Sequence, residues 1–140
     1  MNNNIKIKRL SHLSLSTNDF EKIKKFYCNI LGMKIVHKFV NPKDEIYGMF
    51  LYAGNSTFIE FFHSKDFPRE SGRFRHFCLE VSNIYEIKRI LEKNNFSISI
   101  SRGKTDKILQ FIVKDFEGNL VEFHQHDEQS KLKYYINEKT

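Results

Sequence analysis

Cysteine is scarce in this chain. Two in 140 residues, Cys28 and Cys78, are too few and too isolated for a disulfide framework, and neither belongs to a Cys-x-x-Cys pair of the kind that binds zinc or cycles redox. Both read as small buried hydrophobes. Long apolar runs are missing as well. No stretch approaches the roughly 18 residues that a membrane-spanning helix needs, and the segment from Met1 to Lys8 lacks the apolar core of a secretory signal. No membrane partner and a cytoplasmic location are therefore expected. A block of positive charge is the third absence. The formal charge is +6, but seventeen of the 23 basic residues are Lys spread along the chain, which argues against a nucleic-acid partner. The one local concentration, Arg69, Arg73 and Arg75, is a candidate anion contact.

What is present is a mixed sequence, 40% hydrophobic, long enough for one domain with a sizeable interior. Its pattern occurs twice. Leu10 to Thr17 alternates, with Leu13 and Leu15 on one side and His12, Ser14 and Ser16 on the other, as a half-buried strand requires. A helix follows, with Asn18 as its cap, Glu21 three residues on, and Phe20, Ile23, Phe26 or Tyr27, and Ile30 or Leu31 at helical spacing. Gly32 stops it. Lys34 to Val40, Tyr47 to Ala53 and Ser56 to His63 then read as strands, punctuated by Asn41-Pro42 and Gly54-Asn55.

The same order returns in the second half. Phe74 to Val81 alternates, Asn83 and Glu86 repeat the capping pattern, and Ile84, Ile87, Ile90 and Leu91 form an apolar stripe that ends at Asn94-Asn95. Strands are expected at Phe96 to Ser101, Ile108 to Val113 and Leu120 to His124. Two copies of a βαβββ module, at about 10–63 and 74–126, with a tail at 127–140, describe the chain most simply as a single α+β domain.

Superimposing the copies pairs His12 with His76 and Glu60 with Glu122, the Glu following its His by 48 and 46 residues. Each His lies on the strand face opposite the apolar residues that pack on its own helix. Each Glu is embedded in strand-forming context, Phe58-Ile59-Glu60-Phe61-Phe62 and Leu120-Val121-Glu122-Phe123-His124. An ionised carboxylate inside an apolar sheet is costly unless something positive compensates it. Singly, such residues are usually a hydrogen-bonded structural His or a solvent-facing Glu. Jointly, two nitrogens and two carboxylates suit one divalent ion, Zn, Ni, Co, Mn or Fe(II), with positions left for water or substrate.

Ser11-His12-Leu13-Ser14-Leu15-Ser16, Phe26-Tyr27-Cys28-Asn29-Ile30-Leu31-Gly32-Met33, Phe58-Ile59-Glu60-Phe61, Arg75-His76-Phe77-Cys78-Leu79-Glu80-Val81 and Asp115-Phe116-Glu117-Gly118-Asn119-Leu120-Val121-Glu122-Phe123 together resemble the vicinal oxygen chelate superfamily. That group contains glyoxalase I, methylmalonyl-CoA epimerase, fosfomycin-resistance proteins and extradiol dioxygenases. The resemblance implies two βαβββ modules whose curved mixed sheet surrounds a metal-binding cup. By position, His12, Glu60, His76 and Glu122 match the four metal ligands of the glyoxalase I type. Epimerases generally carry Gln at the position of Glu60, and the dioxygenase and fosfomycin-resistance patterns lack that ligand. Ser16 stands where glyoxalase I proteins usually carry an Arg that holds glutathione, and Asp115-Phe116-Glu117 departs from the usual Asp-Pro-Asp, which is expected to change a turn and little else.

The implied activity is that of a metal-dependent lyase or isomerase, lactoylglutathione lyase-like or epimerase-like. A proton would move next to a carbonyl of a small substrate whose adjacent oxygens chelate the metal, with Glu122 as the base and Glu60 as its near-symmetric partner. The alternatives are a non-catalytic antibiotic-binding protein of the same fold and an Fe(II) dioxygenase. A homodimer is expected, and the spacing leaves open whether the four ligands meet in one chain or across two. Tyr47, Met49, Leu51 and Gln110 are candidates for lining the cup. Arg69, Arg73, Arg75, Arg102 and Lys104 are candidates for holding an anionic substrate. His124 shares the strand face of Glu122 and has three open roles: acid, ligand, or hydrogen-bond partner of a ligand. His126 is expected to face solvent, and His37 and His63 to be surface or structural.

Overall fold

The computed structural model describes residues 9–10, 12–65, 74 and 76–133. Strand β1 (His12–Thr17) leads into helix α1 (Phe20–Ile23), which runs on as a π-helical stretch over Lys24–Ile30. Strands β2 (Lys34–Val40), β3 (Ile46–Gly54) and β4 (Thr57–His63) complete the first sheet. The second half repeats the order with β5 (Phe77–Glu80), α2 (Ile84–Lys93), β6 (Ser101–Arg102), β7 (Leu109–Lys114) and β8 (Leu120–Gln125). The strands form two four-stranded mixed sheets in corresponding order, β1-β4-β3-β2 and β5-β8-β7-β6. In each, the first and last strands of the half run parallel and the other neighbours antiparallel.

The caps explain where the helices begin. Asp19, one residue after the expected Asn18, accepts the Glu21 and Lys22 amides through Oδ1 at 2.9 and 3.3 Å. Asn83 does the same for Tyr85 and Glu86, both at 3.2 Å. The π-helical stretch is closed by the Leu31 amide, which reaches the Phe26 carbonyl five residues back at 3.0 Å, and by Gly32, whose φ of +74° only glycine adopts at little strain. That wider turn leaves Phe26 and Tyr27 side by side and fully buried.

The core lies on the helix side of both sheets. Ile59 and Phe61 of β4 point there with Met49 and Leu51 of β3, and Val121 and Phe123 of β8 with Phe77, Phe111 and Val113. Met49 and Leu51, expected in the cup, are thus core residues, 2% and 0% exposed. They pair with Phe61 and Ile59, so they share the parity of the buried face. The strand expected over Phe96 to Ser101 is reduced to Ser101–Arg102. Upstream, Lys88 Nζ takes the Ile98 carbonyl at 2.8 Å and removes an acceptor that a neighbouring strand would use.

The two halves are joined by more than apolar contact. Tyr27 packs its ring against Phe61 of the first half and Phe77 of the second, with centroids 5.1 and 6.4 Å away, and Phe26 meets Phe96 and Phe116. The turn between β7 and β8 reaches back into the first half: Tyr27 donates its hydroxyl to Asp115 at 2.7 Å, and Thr17 donates to Glu117 at 2.7 Å. The departure at Asp115-Phe116-Glu117 therefore does more than reshape a turn. Burial and the neighbouring Asp115 push the Tyr27 hydroxyl well above the ordinary tyrosine range, so it stays a donor.

Glu117 carries the cost of that junction. Its Oε1 accepts from Thr17, while its Oε2 is enclosed and makes no hydrogen bond among the described residues. Burial first, and Asp115 after it, raise its pKa above the ordinary glutamate value, against the opposing pull of the Thr17 bond. A raised carboxylate pKa gives a stability contribution that is complete below the unfolded value and is lost as pH rises through the folded one. Chemical denaturation of wild type and Glu117→Gln from about pH 4 to pH 7 is expected to show wild type losing ground steadily to the variant. A difference that stays constant over that range would refute the assignment.

Candidate metal centre

On the sheet faces turned away from the helices, the two halves present the same device. Glu60 lies on β4 between Ser14 of β1 and Phe50 of β3, and Glu122 lies on β8 between Cys78 of β5 and Ile112 of β7. His12 and His76 each stand two residues before the strand partner of the glutamate, so both halves set their His and Glu at the same register. His12 Nε2 is 3.9 Å from Glu60 Oε2, and His76 Nε2 is 2.7 Å from Glu122 Oε2. The four expected ligands form two pairs, one on each sheet, and among the described residues no group of three donors within 4.8 Å of one another draws on both pairs.

The pairs differ in their surroundings. Glu60 is half-buried among rings. His12 stands edge-on to Phe50 with centroids 5.6 Å apart, Phe50 touches Phe39 and Phe58, and Phe39 meets Phe62 and Tyr47. Tyr47 stacks on Phe62 at 6.0 Å, so it lies on the Glu60 face as expected. Gly48 makes this arrangement possible, because a Cβ there would sit 2.5 Å from the Phe62 ring and 3.0 Å from Phe39.

Glu122 has polar company instead. It is only 7% exposed, and a second imidazole, that of His124, holds its Oε1 at 2.8 Å while His76 holds Oε2. Among the described residues, the three donors that lie mutually within 4.8 Å are Cys78, Glu122 and His124. Gln110 pairs with His124 across β7 and β8, which puts it on this face. Cys78, read from the sequence as buried, is exposed: it pairs with Glu122 on the face away from the core, while Phe77 takes the core side. Desolvation, followed by the charges of Glu122 and Glu80, pushes its thiol up to about 12, so it stays protonated at neutral pH.

Each His–Glu pair supplies donors of the kind a divalent ion takes. Two carboxylates with limited access to water need a positive partner, and imidazole with carboxylate is the mixture that Zn, Mn, Fe, Co and Ni accept. The separations of 2.7 to 3.9 Å within the pairs bracket the spacing of roughly 3 Å between neighbouring donors that each lie about 2.1 Å from one ion.

The remaining candidates fall outside this centre. Arg69, Arg73 and Arg75 lie outside the described residues. Arg102 is already engaged, forking onto Asp127 at 3.0 and 2.8 Å and donating to the Lys107 carbonyl at 2.7 Å, while Lys104 is exposed. His37 and His63 are exposed, against Phe39 and Phe20. His126, expected to face solvent, is half-buried, and its Nδ1 bonds the buried Ser130 hydroxyl at 2.8 Å.

Comparison with known proteins agrees with this architecture. The chain is 32% identical over 130 residues to a human mitochondrial methylmalonyl-CoA epimerase, covering 84% of this chain and 73% of that protein. It is 28% identical over 124 residues to a lactoylglutathione lyase of Neisseria meningitidis, covering 84% and 90%. The crystal structure of a glyoxalase family protein from Enterococcus faecalis superimposes with a TM-score of 0.70 at 24% identity, over 84% of this chain and 97% of that one. The profile of one superfamily matches residues 9–123, which span both sheets and all four candidate ligands. The chain belongs to the Glyoxalase/Bleomycin resistance protein/Dioxygenase superfamily.

Proposed function

We propose that this protein is a metal-dependent lyase or isomerase of the glyoxalase type, acting on a small substrate with two adjacent oxygens. The observation that carries this reading is the duplicated His–Glu pair at equal register, His12 with Glu60 and His76 with Glu122. These four residues would hold one divalent ion. When bound, such an ion stabilises the negative charge that develops on a carbonyl oxygen as the neighbouring carbon loses its proton.

Glu122 is the base in this reading. It is the more enclosed of the two carboxylates, and contact with a dry substrate carbon favours an enclosed base over a solvated one. It takes the proton from one carbon and returns it to the same carbon in an epimerase or to the adjacent carbon in a glyoxalase-type lyase. Glu60 faces the site from the first sheet, where the rings of Phe50, Phe58 and Phe62 restrict water. His12 and His76 present ring nitrogens to the carboxylates beside them and keep both in place. Relatives named as an epimerase and a lyase support an enzyme, and Glu60 in place of the epimerase Gln favours the glyoxalase-type lyase.

Metal analysis of the purified protein, followed by a metal-supplemented screen over the hemithioacetal of methylglyoxal, acyl-CoA epimers, keto sugars and catechols, tests the reading. A stoichiometric ion and turnover of one of the first three classes are expected. A folded protein that takes up none of Ni, Co, Zn or Mn would sink it, and oxygen consumption confined to catechols would move the assignment to a dioxygenase.

A further inference from the structure

The two halves correspond in register around their glutamates but not in residue type, and one of the differences bears on the carboxylate itself. Two residues after Glu60 stands Phe62, part of the ring face; two residues after Glu122 stands His124. The His124 side chain is more enclosed than that of His76, 20% exposed against 40%, and its Nε2 lies 2.8 Å from Glu122 Oε1. His126, anchored on Ser130, stands edge-on to the His124 ring at 5.9 Å. The opposite oxygen, Oε2, is the one that meets His76. The Glu122 carboxylate is thus gripped at both ends, whereas Glu60 has Phe62 where this second grip would be.

We propose that His124 is a positioning residue for Glu122: by donating from Nε2 to Oε1 it fixes the carboxylate plane and leaves Oε2, beside His76, as the oxygen offered to the ion. The inference rests on the reading of a metal centre given above. A carboxylate free to rotate about its last bond divides its time among orientations, and only one of them presents Oε2 with His76. Holding that orientation in the free protein removes an ordering cost from binding, which is why partners behind metal ligands commonly change affinity by about 10- to 100-fold.

Cobalt(II) titration of the folded protein, followed by visible absorption, separates this role from the other two open to His124. His124→Phe installs the residue that the first half carries at the equivalent place, and His124→Gln keeps an N–H donor at the distance of Nε2. The Phe variant is expected to bind Co(II) about 10- to 100-fold more weakly than wild type, with the Gln variant close to wild type and with an unchanged absorption envelope. Should the Phe variant fail to fold, as read by its melting temperature, His124→Ala provides the same loss of the donor. Wild-type affinity in both Phe and Gln variants would overturn the proposal. So would an altered absorption envelope in the Gln variant, which would make His124 a ligand itself. A folded wild type that takes up no Co(II) removes the metal reading and this inference with it, an outcome distinct from both others.

Discussion

Glu122→Gln is expected to lower turnover of the screened substrate by about 10²- to 10⁴-fold in metal-loaded protein that keeps its fold, with affinity for the ion weakened by a smaller factor. Gln matches Glu in size and retains one oxygen able to accept from His76 or His124, so the strand and the local hydrogen bonds survive. What disappears is the capacity to take a proton. Steady-state rates on metal-loaded wild type and variant, with metal content measured on the same samples, provide the check. Full activity in a metal-replete variant would remove Glu122 from the role of base. The parallel change, Glu60→Gln, restores the residue generally found at that position in epimerases, and a smaller loss there than at Glu122 is expected if the two glutamates have diverged in role.

The second large effect concerns the junction between the halves. Asp115 accepts four hydrogen bonds: the Glu117 and Asn119 amides on Oδ1 at 2.9 and 2.8 Å, and the Tyr27 hydroxyl and Asn119 side chain on Oδ2 at 2.7 and 2.8 Å. It is 5% exposed, so water cannot take over these contacts. Asp115→Ala strands a buried tyrosine hydroxyl and two turn amides together, and is expected to lower unfolding free energy by about 3–5 kcal/mol. Tyr27→Phe removes only one of the four bonds and should lose about 1.5 kcal/mol. Urea denaturation of both variants and of the double variant would show strong coupling between the two sites. A loss below about 1 kcal/mol for Asp115→Ala would mean that the turn does not bind the halves together.

Much of this arrangement is legible in the sequence because parity carries it. The alternations at Leu13-Leu15, Ile59-Phe61, Phe77-Leu79 and Val121-Phe123 identify which face is buried, and therefore that Glu60 and Glu122 are on the other. Asn83 marks its helix correctly. At Asn18-Asp19 two adjacent residues have capping side chains, and the sequence does not rank them; the structure uses Asp19. Strand β3 is apolar on both parities, Met49 and Leu51 against Phe50 and Tyr52, so only the register with β4 tells core from site face. The slip in β2–β3 pairing between Phe39 and Val40 adds to this, letting Tyr47 stay with the rings while Met49 turns inward. The bonds from Asp115 and Glu117 to Tyr27 and Thr17 span 88 and 100 residues and leave no local trace. The second imidazole on Glu122 is visible in sequence as a shared face, but its hydrogen bond is a fact of side-chain geometry.

Duplication has a consequence for direction. Two identical halves would offer an incoming molecule the same surface twice, and a ligand with two different ends would have no reason to prefer one way round. Here one glutamate is set in a field of rings that a missing side chain at Gly48 allows to lie flat, and the other is set between imidazoles. The repeat survives in the strand order and register and is broken in the chemistry: the first half sets rings beside its glutamate, and the second sets imidazoles there.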